Sequence, residues 1–180
     1  AFAEGGINRC VHFAGDRLAA RIPGLTGTDY SVSLWFWSGS AKGVLDGTEW
    51  IFSRGTNFGS LDQNDHIGIR EDQAGNRKLV YRGPGIEAEM ASDKLVERWK
   101  WHHLGFIRSG ANVRVFLDGA TLEATLVTEA GLSAPDNFFF GGSCSGEGNF
   151  EGRLDEIAVF DRALSVEEIL NLYRSGTTAP

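Results

Sequence analysis

Residues 98–119 read RWKWHHLGFIRSGANVRVFLDG and carry the clearest structural signal in the chain. On either side of Ser109–Ala111, side chains alternate with a period of two, which is typical of a β-strand and not of a helix. The glycine in Ser109–Ala111 predicts a reversal of the chain there, and the Asp118-Gly119 pair predicts a second tight turn. Two turns this close together predict an antiparallel meander.

The rest of the chain continues the same pattern. Short runs of alternating polarity, separated by glycine, proline, asparagine and aspartate, predict about a dozen strands. The 24 glycines among 180 residues fit a chain with many turns. We therefore predict an all-β fold in which residues 1–180 form a single domain, a sandwich of two antiparallel sheets.

One short helix is predicted at the C-terminal end. Ser165 can cap the amide of Glu168 while Glu168 reaches back to Ser165, which is the pattern of a capping box. Leu164 can pack on Ile169 and so fix the entry of the chain into the helix. Gly176 is expected to end the helix.

Several segments contain residue motifs that identify a fold more specifically than their periodicity does. They are WHHL at 101–104, VRVFLDG at 113–119, GRLDEIAVFDRALSVEEI at 152–169, and the earlier runs at 11–16, 30–37 and 50–55. From Val11 to Arg174, these segments resemble the LamG-like jelly roll domains of the concanavalin A-like lectin and glucanase superfamily. The resemblance implies a jelly roll sandwich whose first and last strands are neighbours, and it implies use as a carbohydrate-binding module.

Charge and hydropathy exclude two classes of partner. The formal net charge is -7 and no local run of lysine or arginine offsets it, so nucleic acid is not a predicted partner. No apolar segment reaches the length of about eighteen residues that a membrane-spanning helix needs, so no membrane insertion is predicted. The glycine-containing ends at 1–6 and 176–180 predict linkers to other domains of a parent chain. A secreted or extracytoplasmic location, in the periplasm or at the cell surface, follows from the type of module.

The acidic and histidine residues do not predict catalysis or a zinc site. Glycoside hydrolases place two carboxylates across the scissile bond, and the nearest acidic cluster here is Glu151 with Asp155 and Glu156. Asp155 and Glu156 are adjacent, so strand geometry sends them to opposite faces. His102 and His103 are also adjacent, so strand geometry sends them to opposite faces, and one of them is predicted to be a hydrogen-bonded interior residue. We therefore predict a protein that is not an enzyme.

A sugar-binding site needs an aromatic face for the C–H side of the sugar and polar groups for its hydroxyls. Trp35 is predicted to lie in the core, and Trp37 to be more open. The irregular stretch GTNFGSLDQNDH at 55–66 places polar groups around one aromatic ring, which is natural at the edge of a ligand site. The predicted ligand-binding residues are Trp37, Arg54, Asn57, Phe58, Asp62, Asp65, Arg70, Tyr81 and Arg82. An ordinary solvated position is the alternative for each residue of the loop.

The family resemblance also implies a structural calcium ion where the first and last strands meet. Asp16, in the turn after the first strand, and Asp155, in the last strand, are the predicted carboxylate ligands, with backbone carbonyls completing the shell. The alternative is that Asp155 caps a turn or pairs with Arg153 or Arg17.

Cys10 and Cys144 are the only cysteines in the chain. Cys10 lies in the predicted first strand and Cys144 in the glycine-rich loop before the last strand, so one disulfide between them is a hypothesis. Two buried thiols that behave as small apolar side chains are the alternative.

Together these observations predict a non-catalytic carbohydrate-binding module that recognises an extracellular polysaccharide. A structural or protein–protein interaction module of a larger extracytoplasmic protein is the alternative, because the same sandwich can display surfaces for either use.

Overall fold

The computed structural model describes residues 10–25, 27–41, 47–89, 94–127 and 136–177. Within these ranges the chain forms twelve β-strands and one α-helix. The strands build two six-stranded antiparallel sheets whose inner faces share one apolar core. The prediction of an all-β, two-sheet antiparallel sandwich with one C-terminal helix is confirmed.

Sheet A carries the first and last strands of the chain. In spatial order its strands are β1 (Val11–Ala14), β12 (Glu151–Phe160), β3 (Tyr30–Ser38), β8 (Trp101–Ser109), β9 (Asn112–Leu117) and β10 (Ala120–Val127). The register of β1 on β12 places Val11 opposite Leu154 and Ala14 opposite Glu151. The prediction that the first and last strands are neighbours is therefore confirmed.

Sheet B forms the second layer. In spatial order its strands are β2 (Leu18–Arg21), β11 (Asn137–Phe140), β4 (Thr48–Arg54), β5 (His66–Glu71), β6 (Arg77–Gly83) and β7 (Ile86–Glu89). A single 3-10 turn, Leu61–Gln63, lies between β4 and β5. The loop after β11 contacts the outer face of this sheet, where Cys144 N–H donates to Ser53 Oγ (2.8 Å).

Alternation along each strand places the core between the sheets. Fully buried inward side chains include Tyr30, Val32, Leu34 and Phe36 from β3, and Phe52, Ile67 and Phe138 from sheet B. The other side chains of β3, from Ser31 to Trp37, point to the outer face of sheet A. Every second side chain of β3 can therefore contact the element that packs on that outer face.

Helix α1 (Val166–Thr177) packs on the outer face of sheet A. The predicted capping box is confirmed, because Glu168 N–H donates to Ser165 Oγ (3.2 Å) and Ser165 N–H donates to the Glu168 carboxylate (2.8 Å). Ile169 is fully buried, and a Cβ atom at Gly105 would lie only 2.7 Å from its Cγ2 atom. Glycine at position 105 therefore allows the helix to approach the sheet closely.

The helix ends later than the sequence predicted. α1 continues through Thr177, so the expectation that Gly176 ends it was wrong, and the predicted linker at 176–180 begins inside the helix. Gly176 is buried against the indole of Trp35, where a Cβ atom would collide with the ring. The position needs glycine for close packing and not for a left-handed cap.

Both cysteines are free thiols, so the disulfide hypothesis was wrong. Cys10 is partly exposed and directly precedes β1 of sheet A, whereas Cys144 is buried on the outer side of sheet B beside Gly55. A disulfide requires Cα atoms within about 7 Å, and the two thiols belong to different sheets. Burial raises the pKa of the Cys144 thiol.

Candidate functional site

The predicted ligand-binding residues divide into a buried and an exposed group. Arg54, Asp65 and Tyr81 are completely buried, so the prediction that they bind a ligand at an exposed edge was wrong. The Asp65 carboxylate accepts hydrogen bonds from Tyr30 Oη (2.7 Å), Tyr81 Oη (2.6 Å) and Arg108 Nη1 (2.6 Å). Burial and the charge of Asp65 raise the pKa of both tyrosine hydroxyls, which remain donors. We name Tyr30, Asp65, Tyr81 and Arg108 the Asp65 cluster; it links the two sheets.

Arg54 is held by the loop that follows β2. Its guanidinium donates to Gly27 O (3.1 Å) and Leu25 O (3.0 Å), and its Cζ atom lies 4.6 Å from the centroid of the Tyr30 ring. The side chain therefore stabilises the interior end of this loop.

Asn57 and Phe58 do stay at the surface, beside the partly exposed Arg17 and the buried Phe139, which the sequence did not single out. The Arg17 guanidinium lies between the rings of Phe58 and Phe139, with its Cζ atom 5.2 Å and 4.6 Å from their centroids. Asn57 Oδ1 accepts a hydrogen bond from Arg17 Nη2 (2.6 Å). We name Arg17, Asn57, Phe58 and Phe139 the Arg17 platform. It lies on the outer side of sheet B.

The other predicted surface residues pair with protein groups. Asp62 and Arg82 form an exposed ion pair (2.6 Å), and the hydrogen bond from Arg82 lowers the pKa of the Asp62 carboxyl. Arg70 Nη2 donates to Thr48 Oγ1 on the adjacent strand (2.9 Å). The predicted residues of the loop and the neighbouring hairpin therefore do not converge on one exposed site.

Asp16 and Asp155 do not form a shared calcium site. The register of β1 on β12 places Asp155 beyond the Val11 end of β1 and Asp16 beyond the Ala14 end, so at least about 10 Å of strand separates them. Within the described residues, no group of three acidic, histidine or cysteine side chains is arranged to hold a metal ion. Asp155 Oδ1 accepts from Glu156 N–H (2.8 Å), as in the turn-cap alternative. Calcium binding stays an untested prediction.

Tryptophan side chains gather on the outer face of sheet A. α1 covers this face as far as Trp35, which is 5% exposed and stacks on Tyr173 with the ring centroids 5.9 Å apart. Beyond the end of the helix, Trp37 and Trp101 occupy facing positions on β3 and β8 and are partly exposed. The Arg153 guanidinium lies 4.9 Å from the Trp37 ring. The helix therefore leaves an aromatic surface uncovered.

A cleft of about 740 Å³ opens beside Trp101. It lies between the C-terminal half of α1, the turn between β9 and β10, and the segment that leads into β8. Its lining residues are Trp35, Lys94, Leu95, Glu97, Lys100, Trp101, His102, Asp118, Tyr173 and Thr177. We name this cleft, together with the adjoining Trp37, the tryptophan cleft.

A tight turn and a histidine hold one carboxylate of the cleft in place. Asp118 and Gly119 have φ angles of 50° and 73°, as the sequence predicted for a tight turn. His102 Nδ1 lies 2.8 Å from Asp118 Oδ2 and donates to it, because an ionised carboxylate only accepts, while His102 Nε2 lies 3.0 Å from Glu97 N and 3.1 Å from Glu97 O. His103 N–H donates to Asp118 Oδ1 (2.9 Å).

These bonds keep Asp118 ionised. Burial by itself raises the pKa of the Asp118 carboxyl, but the hydrogen bonds from His102 and from the His103 N–H outweigh burial, and the pKa lies below its ordinary value. At neutral pH the cleft therefore presents a fixed acceptor beside an aromatic wall.

The remaining charges of the cleft balance each other. Lys100 Nζ lies 2.7 Å from the Glu97 carboxylate in an exposed ion pair. Lys94 Nζ lies 3.4 Å from the carbonyl oxygens of Leu117 and Asp118. With two lysines against Glu97 and Asp118, the lining has no net formal charge.

His102 and His103 are both buried, whereas the sequence predicted only one interior histidine of the two. His103 is 1% exposed, its Nε2 lies 2.9 Å from Ser33 Oγ, and its ring packs against Trp35 and Tyr173. Burial lowers the pKa of His103 to about 4. The ring supports the cleft from below and stays neutral.

Of the cleft residues, the sequence singled out only Trp37 as a ligand-binding residue. Trp101 and Tyr173 were missed because a strand and a helix 72 positions apart bring them together. One signal was present, since four of the five tryptophans lie at positions 35, 37, 99 and 101. Paired strands carry Trp35, Trp37 and Trp101, and Trp99, in the turn before β8, donates its N–H to Ser38 O (3.0 Å) beside the end of β3.

The family model that describes the concanavalin A-like lectin/glucanases superfamily matches residues 14–170. The chain belongs to this laminin G family. No curated protein matches the chain in sequence.

Solved structures of this laminin G fold include domain 4 of an extracellular arabinanase from Geobacillus stearothermophilus in complex with arabinotriose. It has a TM-score of 0.65 and 22% identity, and the match covers 96% of this chain and 80% of that domain. The CBM40 domain of a Ruminococcus gnavus sialidase bound to sialyllactose has a TM-score of 0.64 and 14% identity, over 95% and 100% of the two chains. A pentraxin from Limulus polyphemus has a TM-score of 0.64 and 17% identity, over 85% and 73%. At these identities the likeness concerns the fold.

Proposed function

We propose that this laminin G domain is a non-catalytic carbohydrate-binding module that holds a neutral glycan in the tryptophan cleft. The observation that carries the proposal is the aromatic wall of Trp101 and Tyr173 beside the fixed carboxylate of Asp118. Aromatic rings pack on the C–H face of a sugar ring, and carboxylate and ammonium groups bind its hydroxyls. The fold supports the proposal, because similar domains were solved with arabinotriose and sialyllactose bound.

The charge balance of the lining favours an uncharged ligand. An acidic sugar would meet the carboxylates of Glu97 and Asp118, and a basic ligand would meet Lys94 and Lys100. A neutral polyhydroxyl ligand accepts from the ammonium groups and donates to the carboxylates without an uncompensated charge.

The same acids argue against hydrolysis. A glycosidase needs one carboxyl group whose pKa is raised, so that it can protonate the leaving oxygen. In the cleft, the pKa of Asp118 lies below its ordinary value, and the hydrogen bond from Lys100 lowers the pKa of Glu97. Both acids are ionised at neutral pH, so the cleft binds a glycan without cleaving it. A binding module of this kind fits an extracytoplasmic parent protein, where polysaccharide is the target.

Affinity gel electrophoresis tests the proposal. The chain is run through gels that contain neutral polysaccharides such as arabinan, xylan, mannan, galactan and β-glucan, each with calcium and with EDTA. We expect retardation by at least one of them, and a loss of about tenfold to a hundredfold in affinity in Trp101→Ala, because a buried aromatic contact contributes about 1–3 kcal/mol.

Val11→Ala is the matched control, since Val11 is 51% exposed on sheet A and lies outside the cleft. Its retardation should equal that of the wild type. If no polysaccharide retards the wild type, or if Trp101→Ala binds as well as Val11→Ala, the proposal fails. The interaction-module alternative would then be favoured.

A further inference from the structure

The Arg17 platform is a second concentration of polar and aromatic groups, on the opposite sheet from the tryptophan cleft. Phe58 is 76% exposed, which is unusual for a phenylalanine, and its φ angle is 59°. A left-handed conformation is strained for a bulky residue and persists only where the surroundings hold it. Here Phe58 N–H donates to Cys144 O (2.7 Å), and Gly59 N–H donates to Thr56 O (2.7 Å). The ring is thus fixed in solvent.

The cation beneath this ring is held equally firmly. Arg17 Nη1 donates to Ser143 O and Nη2 donates to Asn57 Oδ1, while the Cζ atom lies over the rings of Phe58 and Phe139. A guanidinium has five N–H donors, so about three remain for other partners. The planar fork of these N–H groups suits an oxyanion.

Arg17 also has an uncompensated charge. Among the residues that the structure describes, no carboxylate lies within ion-pair distance of its guanidinium. The adjoining depression of about 310 Å³ is lined by Arg17, Arg21, Asn57, Asn137, Phe139 and two alanines, without an acidic side chain. Arg21 is 72% exposed and pairs with Asp136 (2.8 Å). The tryptophan cleft, by contrast, balances two cations with two carboxylates.

We propose that the Arg17 platform is a binding subsite for an anionic group, a carboxylate or a sulfate, carried on a sugar ring. The edge of Arg17 binds the anion, the amide groups of Asn57 and Asn137 bind neighbouring hydroxyls, and the exposed ring of Phe58 packs on the C–H face of the sugar. The inference goes beyond the proposed function, because it adds a second, charge-selective site with separate residues. The net charge of -7 opposes non-specific anion binding, so acidic sugars are retained only where such a site exists.

NMR titration of the whole chain tests this subsite with pairs of sugars that differ in the anionic group. Galacturonic acid is compared with galactose, glucose 6-sulfate with glucose, and N-acetylneuraminic acid with N-acetylmannosamine. We expect at least one acidic sugar to bind about tenfold more tightly than its neutral counterpart, as for a charge-assisted hydrogen bond. The backbone signals of Asn57 and Phe58 should shift. The carboxylate and sulfate arms separate the two kinds of anion.

Variants assign the preference to Arg17. In Arg17→Gln the preference for the acidic sugar should fall below about twofold, and in Arg17→Lys it should fall only in part, since lysine keeps the charge but not the planar fork. Asn57→Ala is a second variant at an exposed position and should weaken binding of the acidic sugar without unfolding the chain. In the wild type, added salt should weaken this binding because the contact is ionic.

The proposal is overturned if no acidic sugar binds better than its neutral counterpart, or if Arg17→Gln keeps the preference. Trp101→Ala separates this result from a failure of the proposed function. It should weaken the binding of neutral polysaccharide by about tenfold to a hundredfold and leave the preference for the acidic sugar unchanged. If neutral polysaccharides do not bind but the preference exists and depends on Arg17, the tryptophan cleft is wrong and the Arg17 platform stands.

Discussion

The Asp65 cluster and the tryptophan cleft contain the same kinds of side chain but differ in role. The cluster stabilises the fold, whereas the cleft is the proposed binding site. Each combines aromatic rings with charged groups that distant strands bring together. In the Asp65 cluster the carboxylate accepts three hydrogen bonds and all four residues are at most 1% exposed. In the tryptophan cleft, Asp118, Trp101 and Tyr173 still face solvent. The comparison shows that burial, and not residue type, separates a stabilising cluster from a binding site.

Removal of the charge of Asp65 tests the stabilising role of the Asp65 cluster with the largest expected effect. Asp65→Asn removes the negative charge that pairs with the buried Arg108 guanidinium (2.6 Å), so we expect the free energy of unfolding to fall by about 3–5 kcal/mol. Asp62→Asn is the matched control, because its ion pair with Arg82 is exposed to solvent and contributes little to stability. Urea unfolding of both variants checks the difference, and equal losses would show that the Asp65 cluster is not structural.

Two tryptophans on one strand sharpen the comparison at the border of the cleft. Trp35 is buried under Gly176 and Tyr173, so Trp35→Ala should lower the free energy of unfolding by about 3 kcal/mol or more. Trp37 is partly exposed, so Trp37→Ala should cost less than about 1 kcal/mol in stability and should weaken glycan binding instead. Unfolding and binding measured on both variants check the split. A large stability loss in Trp37→Ala would place that side chain in the core.

The pH dependence of stability and of binding gives a third difference between the interior and the cleft. Burial lowers the pKa of His66 to about 3 and of His103 to about 4, against an unfolded value of about 6.5. The unfolded state therefore binds these protons first, and stability falls as the pH drops below about 6.5. Between pH 7 and pH 5 we expect a loss of about 2 kcal/mol for each histidine.

The cleft should keep its affinity over the same interval, because Asp118 stays ionised while its pKa lies below the ordinary value. Urea unfolding at several pH values and binding assays at the same values test the pair of statements. His103→Gln should reduce the slope of stability against pH. A flat stability profile would mean that these histidines are solvated.

The sequence predicted turns and the helix cap well because these features depend on residues that are close together in the chain. The Asp118-Gly119 turn and the Ser165 capping box follow from local spacing, whereas the pairing of the first and last strands was implied by the family resemblance. The end of α1 was missed because position 176 requires glycine for packing against the Trp35 ring, and not for the local conformation of the helix end.

The candidate site was harder to predict because burial of a polar side chain depends on distant partners. Asp65 and Phe58 lie in one polar loop, yet Asp65 meets Arg108, 43 positions away, and Phe58 is left in solvent. No local property of the loop distinguishes the two fates. The same holds for Arg17, whose role depends on packing against Phe58 and Phe139.

The central claim is that glycan binds beside Trp101, and the indole N–H signals of the five tryptophans test it most directly. In a ¹⁵N-labelled sample, an oligosaccharide from the best-retarding polysaccharide is titrated into the chain. We predict saturable shifts of the Trp101 and Trp37 indole signals. The signal of Trp50, which is buried on sheet B, should stay unchanged. Binding that leaves Trp101 and Trp37 unmoved, or that shifts Trp50 most, would contradict it.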